Sequence, residues 1–217
     1  MGTFKPFDFR KLGDIPKNEQ VIISSGNVKI GNVWNTSFPR VVTCNPEAPC
    51  TKKGCYMASR EGMRPNVRRA YTQNLRIYND DPINYWAQMN TFLYVRKPQY
   101  FRYFVDGDIP SVPYLFEIVR HADRHQGTIF TVYTKRYNFL TDWSTVQLPK
   151  NLILLASAWP NFAMPKVVQK NFRVVWMDDG KEDRIPADAI QCPAKCSECM
   201  VCYHPNETRD VSIKRHR

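Results

Sequence analysis

Acidic residues are scarce relative to basic ones in this chain of 217 residues, with 20 Asp and Glu against 31 Lys and Arg. The resulting formal charge is large for a chain of this size. Long hydrophobic runs are also lacking. None approaches the roughly 18 consecutive apolar residues that a membrane-spanning helix needs, so the sequence offers no membrane partner. The N-terminus opens MGTFKPFDFRKLGD with no apolar stretch behind it, so export to an oxidising compartment is not expected. The compartment this implies is the cytoplasm. No H-E-x-x-H pattern, phosphate-cradling glycine loop or Ser/His/Asp arrangement occurs. Hydrolase and nucleotide-binding readings therefore have no motif behind them.

What is present describes a folded globule: 43% hydrophobic residues and 13% aromatics argue against disorder. The formal charge of +11 admits a nucleic-acid partner through counterion release. The basic residues are dispersed, however, apart from Arg64, Arg68, Arg69 and Arg76 and the tail Lys214, Arg215, His216 and Arg217. No nucleic-acid motif accompanies them, so the plainer reading is a solvated basic surface. The five tryptophans, Trp34, Trp86, Trp143, Trp159 and Trp176, serve a core or an interface equally well, and oligomeric state is left open.

The cysteines are the sharpest signal. Cys192, Cys196, Cys199 and Cys202 fall within CPAKCSECMVC, and Cys44, Cys50 and Cys55 within CNPEAPCTKKGC, with none between the two runs. Deprotonated thiols packed that closely repel one another, and a soft cation relieves the repulsion. The odd count of seven argues against a full set of disulfides, and a four-member array is too regular for scattered core thiols. The chain is therefore expected to bind metal through these seven cysteines, with the C-terminal four as the main ligand set.

Along the chain, VIISS at 21–25 reads as a strand, followed by turns at Gly26-Asn27 and Gly31-Asn32. Helices are expected from Pro65 to about Tyr78 and from Pro82 to just before Pro98. Strands at 100–106, 128–133, 151–156 and 172–177 then alternate with helices at 111–126 and 137–146. Such alternation predicts a single α/β domain over 1–217: a partial barrel or an open, mostly parallel sheet of three or four βα units. Within it, 1–63 holds strand, turns and the first cysteine loop, 64–190 the helices and βα units, and 191–217 the cysteine cluster and basic tail. Ligands of parallel sheets collect outside the carboxyl ends of the strands. Asp106-Gly107-Asp108, Tyr133 to Arg136, Ser157 to Trp159, and Asp178 to Gly180 stand at those ends, and the second cysteine run is expected near the same rim. Asp106 and Asp108 are candidate acids or bases there, and Lys135 a candidate anchor for an anionic small-molecule substrate.

Four features together resemble the phage-associated gene product 88 domain family: a cysteine loop ending Cys55-Tyr56, a strand ending Asp106-Gly107-Asp108, a strand leading into Tyr133-Thr134-Lys135, and a closing Cys192-Pro193 with Cys196, Cys199 and Cys202. The resemblance covers about 24–203 and departs from the family at Asp106, where Ser is common. It implies a small phage or prophage cytoplasmic protein carrying a metal or cluster, and carries over no defined activity.

The run Cys192-x3-Cys196-x2-Cys199 has the spacing by which radical S-adenosylmethionine enzymes, also partial barrels, hold a [4Fe–4S] cluster. It departs from them in lying after the strands, in having Glu198 before the third cysteine, and in adding Cys202. Four closely spaced thiols equally suit zinc, which closes tetrahedrally. Successive short gaps wrap more naturally around an iron–sulfur cluster, so a [4Fe–4S] cluster in a redox or radical-type protein is the favoured reading. The alternative is structural zinc in a basic nucleic-acid- or protein-binding module.

Overall fold

The computed structural model describes residues 17–26, 30–52, 55 and 64–214. Seven strands form one sheet: β1 (Trp34–Thr36), β2 (Tyr100–Tyr103), β3 (Ile129–Thr134), β4 (Leu152–Ala158), β5 (Arg173–Asp178), β6 (Ile190–Gln191) and β7 (Val211–Lys214). Every pairing within it is parallel, in the order β1-β2-β3-β4-β5-β7-β6. The sheet is open, with β1 and β6 at its edges.

Between the strands run α1 (Pro49–Lys52), α2 (Pro65–Asp80), α3 (Pro82–Arg96), α4 (Val112–Arg124), α5 (Tyr137–Trp143), α6 (Lys166–Asn171) and α7 (Cys196–Cys199). Local chemistry sets their ends. Pro65 and Pro82 occupy first turns, where the missing N–H is no loss. Asp81 caps α3 by accepting the Asn84 amide at 3.0 Å, and Ser111 caps α4 by accepting that of Tyr114 at 3.3 Å. Lys97 then turns left-handed (φ 44) just before Pro98 and stops α3.

The alternation along each strand sorts the two faces of the sheet. Phe101, Tyr103, Phe130, Val132, Leu154 and Ala156 point toward the helices and join the main core with Tyr85, Met89, Leu115 and Ile118. Ile129, Tyr133, Ile153, Leu155 and Val175 point the other way, into a smaller cluster with Cys192, Val201 and Cys202. Topology accounts for the division. From β1 to β5 the strands step in one direction, and right-handed crossovers then place every connection on one face. The step from β6 back to β7 runs in the opposite direction, so its connection, the cysteine segment, lies on the other face.

The segment 21–25 is not a strand. It makes a single antiparallel bridge, Ser24 to Asn35, and helix side chains hold its backbone instead. Gln88 accepts the Val21 amide at 2.8 Å, while Asn74 accepts the Ile22 amide at 2.7 Å and donates to the Ile22 carbonyl at 2.9 Å. Asn27 of the first expected turn, Tyr56 and the tail Arg215, His216 and Arg217 lie outside the described residues. The strand expected over 100–106 ends at Tyr103, because Phe104 adopts a left-handed conformation (φ 62). The sheet is also larger than three or four units: β1, β6 and β7, with the short helices α1, α6 and α7, had no counterpart in the expectation.

Candidate functional site

Two groups of side chains stand out. The first lies at the carboxyl ends of β2 and β3. Gly107 makes the turn there with φ +74, and an added Cβ would lie 2.7 Å from Thr43 Oγ1 and 2.8 Å from the Phe38 carbonyl oxygen. Glycine is what lets the loop press so closely onto the first cysteine segment.

The carboxylate of Asp108 is 5% exposed and serves three donors: the Thr134 hydroxyl at 2.6 Å, the Lys135 amide at 2.8 Å and the Ile109 amide at 2.7 Å. Burial raises its pKa above the ordinary carboxylate value, and these hydrogen bonds oppose the rise. Asp106 accepts the Gly107 amide at 3.0 Å. Asp108 in these surroundings fastens the rim together. Asp178, at the end of β5, accepts the Gly180 amide at 2.8 Å and closes a turn.

Lys135 donates from its ammonium to Ser157 Oγ at 2.9 Å and lies 5.3 Å from the centre of the Trp159 ring. Tyr137 braces the same spot by donating to the Ser157 carbonyl at 2.7 Å. Among the described residues no carboxylate forms an ion pair with Lys135. A cation beside an aromatic ring, steadied by a hydroxyl, can receive an anionic group.

The first cysteine run reaches this rim. Asn45 donates to the Lys135 carbonyl at 2.8 Å, and Arg136 to the Thr43 carbonyl at 2.9 Å. Cys44 has Asp108, Asp106 and Cys50 as electrostatic neighbours, and Cys50 has Lys135, Cys55 and Asp108. Burial pushes the Cys44 thiol up to about 12 and raises that of Cys50.

The C-terminal four are elsewhere. They were expected at the same rim, but the structure lays them on the sheet face, over the smaller apolar cluster, because the reversed crossover from β6 to β7 carries them there. Together with Met200, Val201, Tyr203 and Val211 they line one cavity of about 20 Å3. Left-handed backbone at Ala194 (φ 61) and Met200 (φ 49) curls the segment, an unfavourable conformation for residues with a Cβ and one that gathers at functional sites. The Ala194 amide donates to Cys192 Sγ at 3.4 Å, and Tyr133 hydrogen-bonds Cys202.

Burial raises the Cys196 and Cys202 thiols above their ordinary value, and two guanidinium groups oppose it. Arg102, from β2, acts on Cys196 and stacks 4.2 Å from the Tyr133 ring centre, while Arg173, from β5, acts on Cys202. Gly31 packs against the same loop: with φ +67, a Cβ there would lie 2.9 Å from both Cα and Cβ of Ser197. Arg102 and Arg173 escaped the sequence reading. Each alternates with core residues on its own strand, which puts it on the face away from the helices, but only strand register shows that the two converge.

All seven cysteines are free and half-buried, and they fall into the two groups just described. In chemistry the C-terminal donor set fits a thiophilic centre: four thiols from one curled loop, with cations to offset thiolate charge. Among the described residues no three His, Cys, Asp or Glu side chains stand close enough to hold one metal ion as they are. No helix among them is long and apolar enough to cross a membrane.

Comparison with known proteins gives a match to a family model, described as Gene product 88, over residues 10–206. No curated protein and no solved structure matches the chain.

Proposed function

We propose that this chain, which belongs to the phage-associated Gene product 88 family, is an iron–sulfur protein. Its ligands are Cys192, Cys196, Cys199 and Cys202, and its cluster is of the [4Fe–4S] type. The observation that carries the reading is the shared cavity these four thiols line, on the sheet face opposite α2 to α6. The cluster would supply a one-electron donor or acceptor. The chain's own residues tune and shield it. Arg102 and Arg173 offset the thiolate charge, and Tyr133 hydrogen-bonds Cys202. Ile153, Leu155 and Val175 keep water from the inner side.

A substrate anchor fits just past the end of β3. Lys135 follows Tyr133 at the two-residue spacing that returns a side chain to the same face of an extended chain. With Ser157 and Trp159 it would hold an anionic group at the rim, where Cys50 of the first run is its electrostatic neighbour. Cys44, Cys50 and Cys55 form a second donor group at this rim, beside Asp106 and Asp108.

A structural zinc ion on the same four thiolates is the second reading. All four thiols come from one curled loop, and zinc closes tetrahedrally with four thiolates. Anaerobic purification with iron, sulfide and zinc analysis and an ultraviolet–visible spectrum separates the two. Brown protein with matched iron and sulfide, lost in C196A and C202A, supports the cluster. Colourless protein holding zinc and no sulfide overturns it.

A further inference from the structure

The exposed side of α2 carries a feature that neither cysteine group uses. Arg64, Arg68, Arg69 and Arg76 stand on or just before this helix, all exposed, and no acidic residue occurs from Arg64 to Asn79. Arg68, Arg69, Thr72 and Arg76 recur at intervals of one, three and four, which places them along one face. The opposite side is apolar and inward: Ile77 is buried, and Leu75 and Tyr78 pack on the core.

Arg68, Arg69 and Arg76 line an open groove of about 590 Å3, together with Asn18, Asn66 and Thr72. Their engagement differs. Arg76 pairs with Asp80 at 3.2 Å and donates to the Asn18 carbonyl at 2.6 Å, so it builds the groove wall. Arg64, Arg68 and Arg69 make no ion pair or side-chain hydrogen bond with any described residue. The helix holds a single acidic residue, Asp80, and Arg76 already occupies it. Among the described residues, therefore, no carboxylate compensates these three neighbouring guanidinium groups at one end of α2.

From this we infer that the α2 groove is a binding surface for the phosphodiester backbone of nucleic acid. Planar guanidinium forks match phosphate oxygens in pairs. From Arg68 to Arg76 the helix rises about 12 Å, enough to follow a short run of phosphates. Asn18, Asn66 and Thr72 add neutral hydrogen-bonding groups between the charges, as backbone-positioning contacts commonly include. A membrane surface fits less well, because an interfacial helix needs large apolar side chains beside its basic ones. Among the described residues lining this groove, Pro65 is the sole apolar one. The site is independent of what the cysteines bind.

The test is fluorescence anisotropy of the intact protein with a labelled 20-base-pair duplex of mixed sequence, titrated across salt. Two triple variants are compared, R64Q/R68Q/R69Q and the charge-matched K150Q/K166Q/K170Q on a different surface. The expected result is binding by the parent protein that weakens tenfold or more in the arginine triple. Its salt slope should fall by about 2 to 3, one near-unit step per lost phosphate contact. The lysine triple should stay within about twofold of the parent. The inference is overturned if the parent does not bind at low salt, if both triples weaken alike, or if the arginine triple binds undiminished. It is equally overturned if vesicles containing phosphatidylserine compete the duplex away.

Discussion

The Thr134 hydroxyl donates to Asp108 Oδ1 across 2.6 Å, tying the loop after β2 to the end of β3 beneath the first cysteine segment. Replacing Thr134 by Val removes this bond and leaves a buried acceptor short of a donor, a change of about 1–3 kcal/mol. Asp108→Asn is expected to be at least as damaging at neutral pH, since its new N–H2 would face a backbone or hydroxyl donor in either orientation. Urea denaturation of both variants at pH 7 checks this. The pH dependence adds a second mark. Burial raises the Asp108 pKa in the fold, so its contribution is fully present below the unfolded value near 3.8 and is lost as pH rises through the folded value. D108N should therefore lose least, relative to the parent, on the high-pH side of that window.

His121 provides a window of opposite sign. It is 1% exposed, shares a 3.0 Å hydrogen bond with the Tyr103 hydroxyl, and lies edge-on to Trp86. Burial, with help from His125, lowers its pKa from 6.5 to about 3, so the fold holds it neutral. The unfolded chain takes up the proton first as pH falls. Stability is thus fully present above about pH 6.5 and declines below it. Denaturation midpoints at pH 7.5 and 5.5 should differ more in the parent than in H121Q. An equal drop in the two proteins would sink this reading.

Gly31→Ala tests the contact between the N-terminal segment and the cysteine loop. The left-handed backbone alone disfavours Ala by about 1–2 kcal/mol, and the new methyl would press on Ser197. G127A is the control, because a Cβ there meets nothing within 4 Å. Limited proteolysis should cut G31A faster between 192 and 203, and leave G127A unchanged.

If the C-terminal thiols hold a redox cluster, Arg102→Gln should make its midpoint potential more negative. Removing a cation disfavours the added electron. Protein-film voltammetry reads the shift, and a potential unchanged or raised would remove Arg102 from the site.

Much of the fold was legible where local chemistry is loud. Prolines and caps at 65, 81–82 and 111 announce α2, α3 and α4, and the apolar runs of β3, β4 and β5 stand clear of their surroundings. What escaped was decided at a distance. β1 spans three residues and β6 two, too few for any period to show. VIISS at 21–25 has a strand's composition, yet Asn74 and Gln88 hold its backbone from α2 and α3. The cysteine spacing was plain, whereas its place on the sheet depended on strand order. That order is visible only once β7 is found between β5 and β6. Asp210, which went unremarked, helps seat β7 by accepting the Val174 amide at 2.8 Å and Trp176 Nε1 at 2.9 Å.

The insertion of β7 also dictates timing. While the chain is being made, β5 emerges with one long edge bare, and β6 has no neighbour of its own to pair with. Both wait for residues 211–214, synthesised after every cysteine. Until then the thiols hang from an unanchored tether, open to oxidants, and the bare edge of β5 invites the wrong strand. Once β7 slots in, both ends of the cysteine loop are pinned and access narrows. Closure of this side of the sheet therefore waits for the last strand, and a centre held by these thiols would have to be loaded before or during that closure.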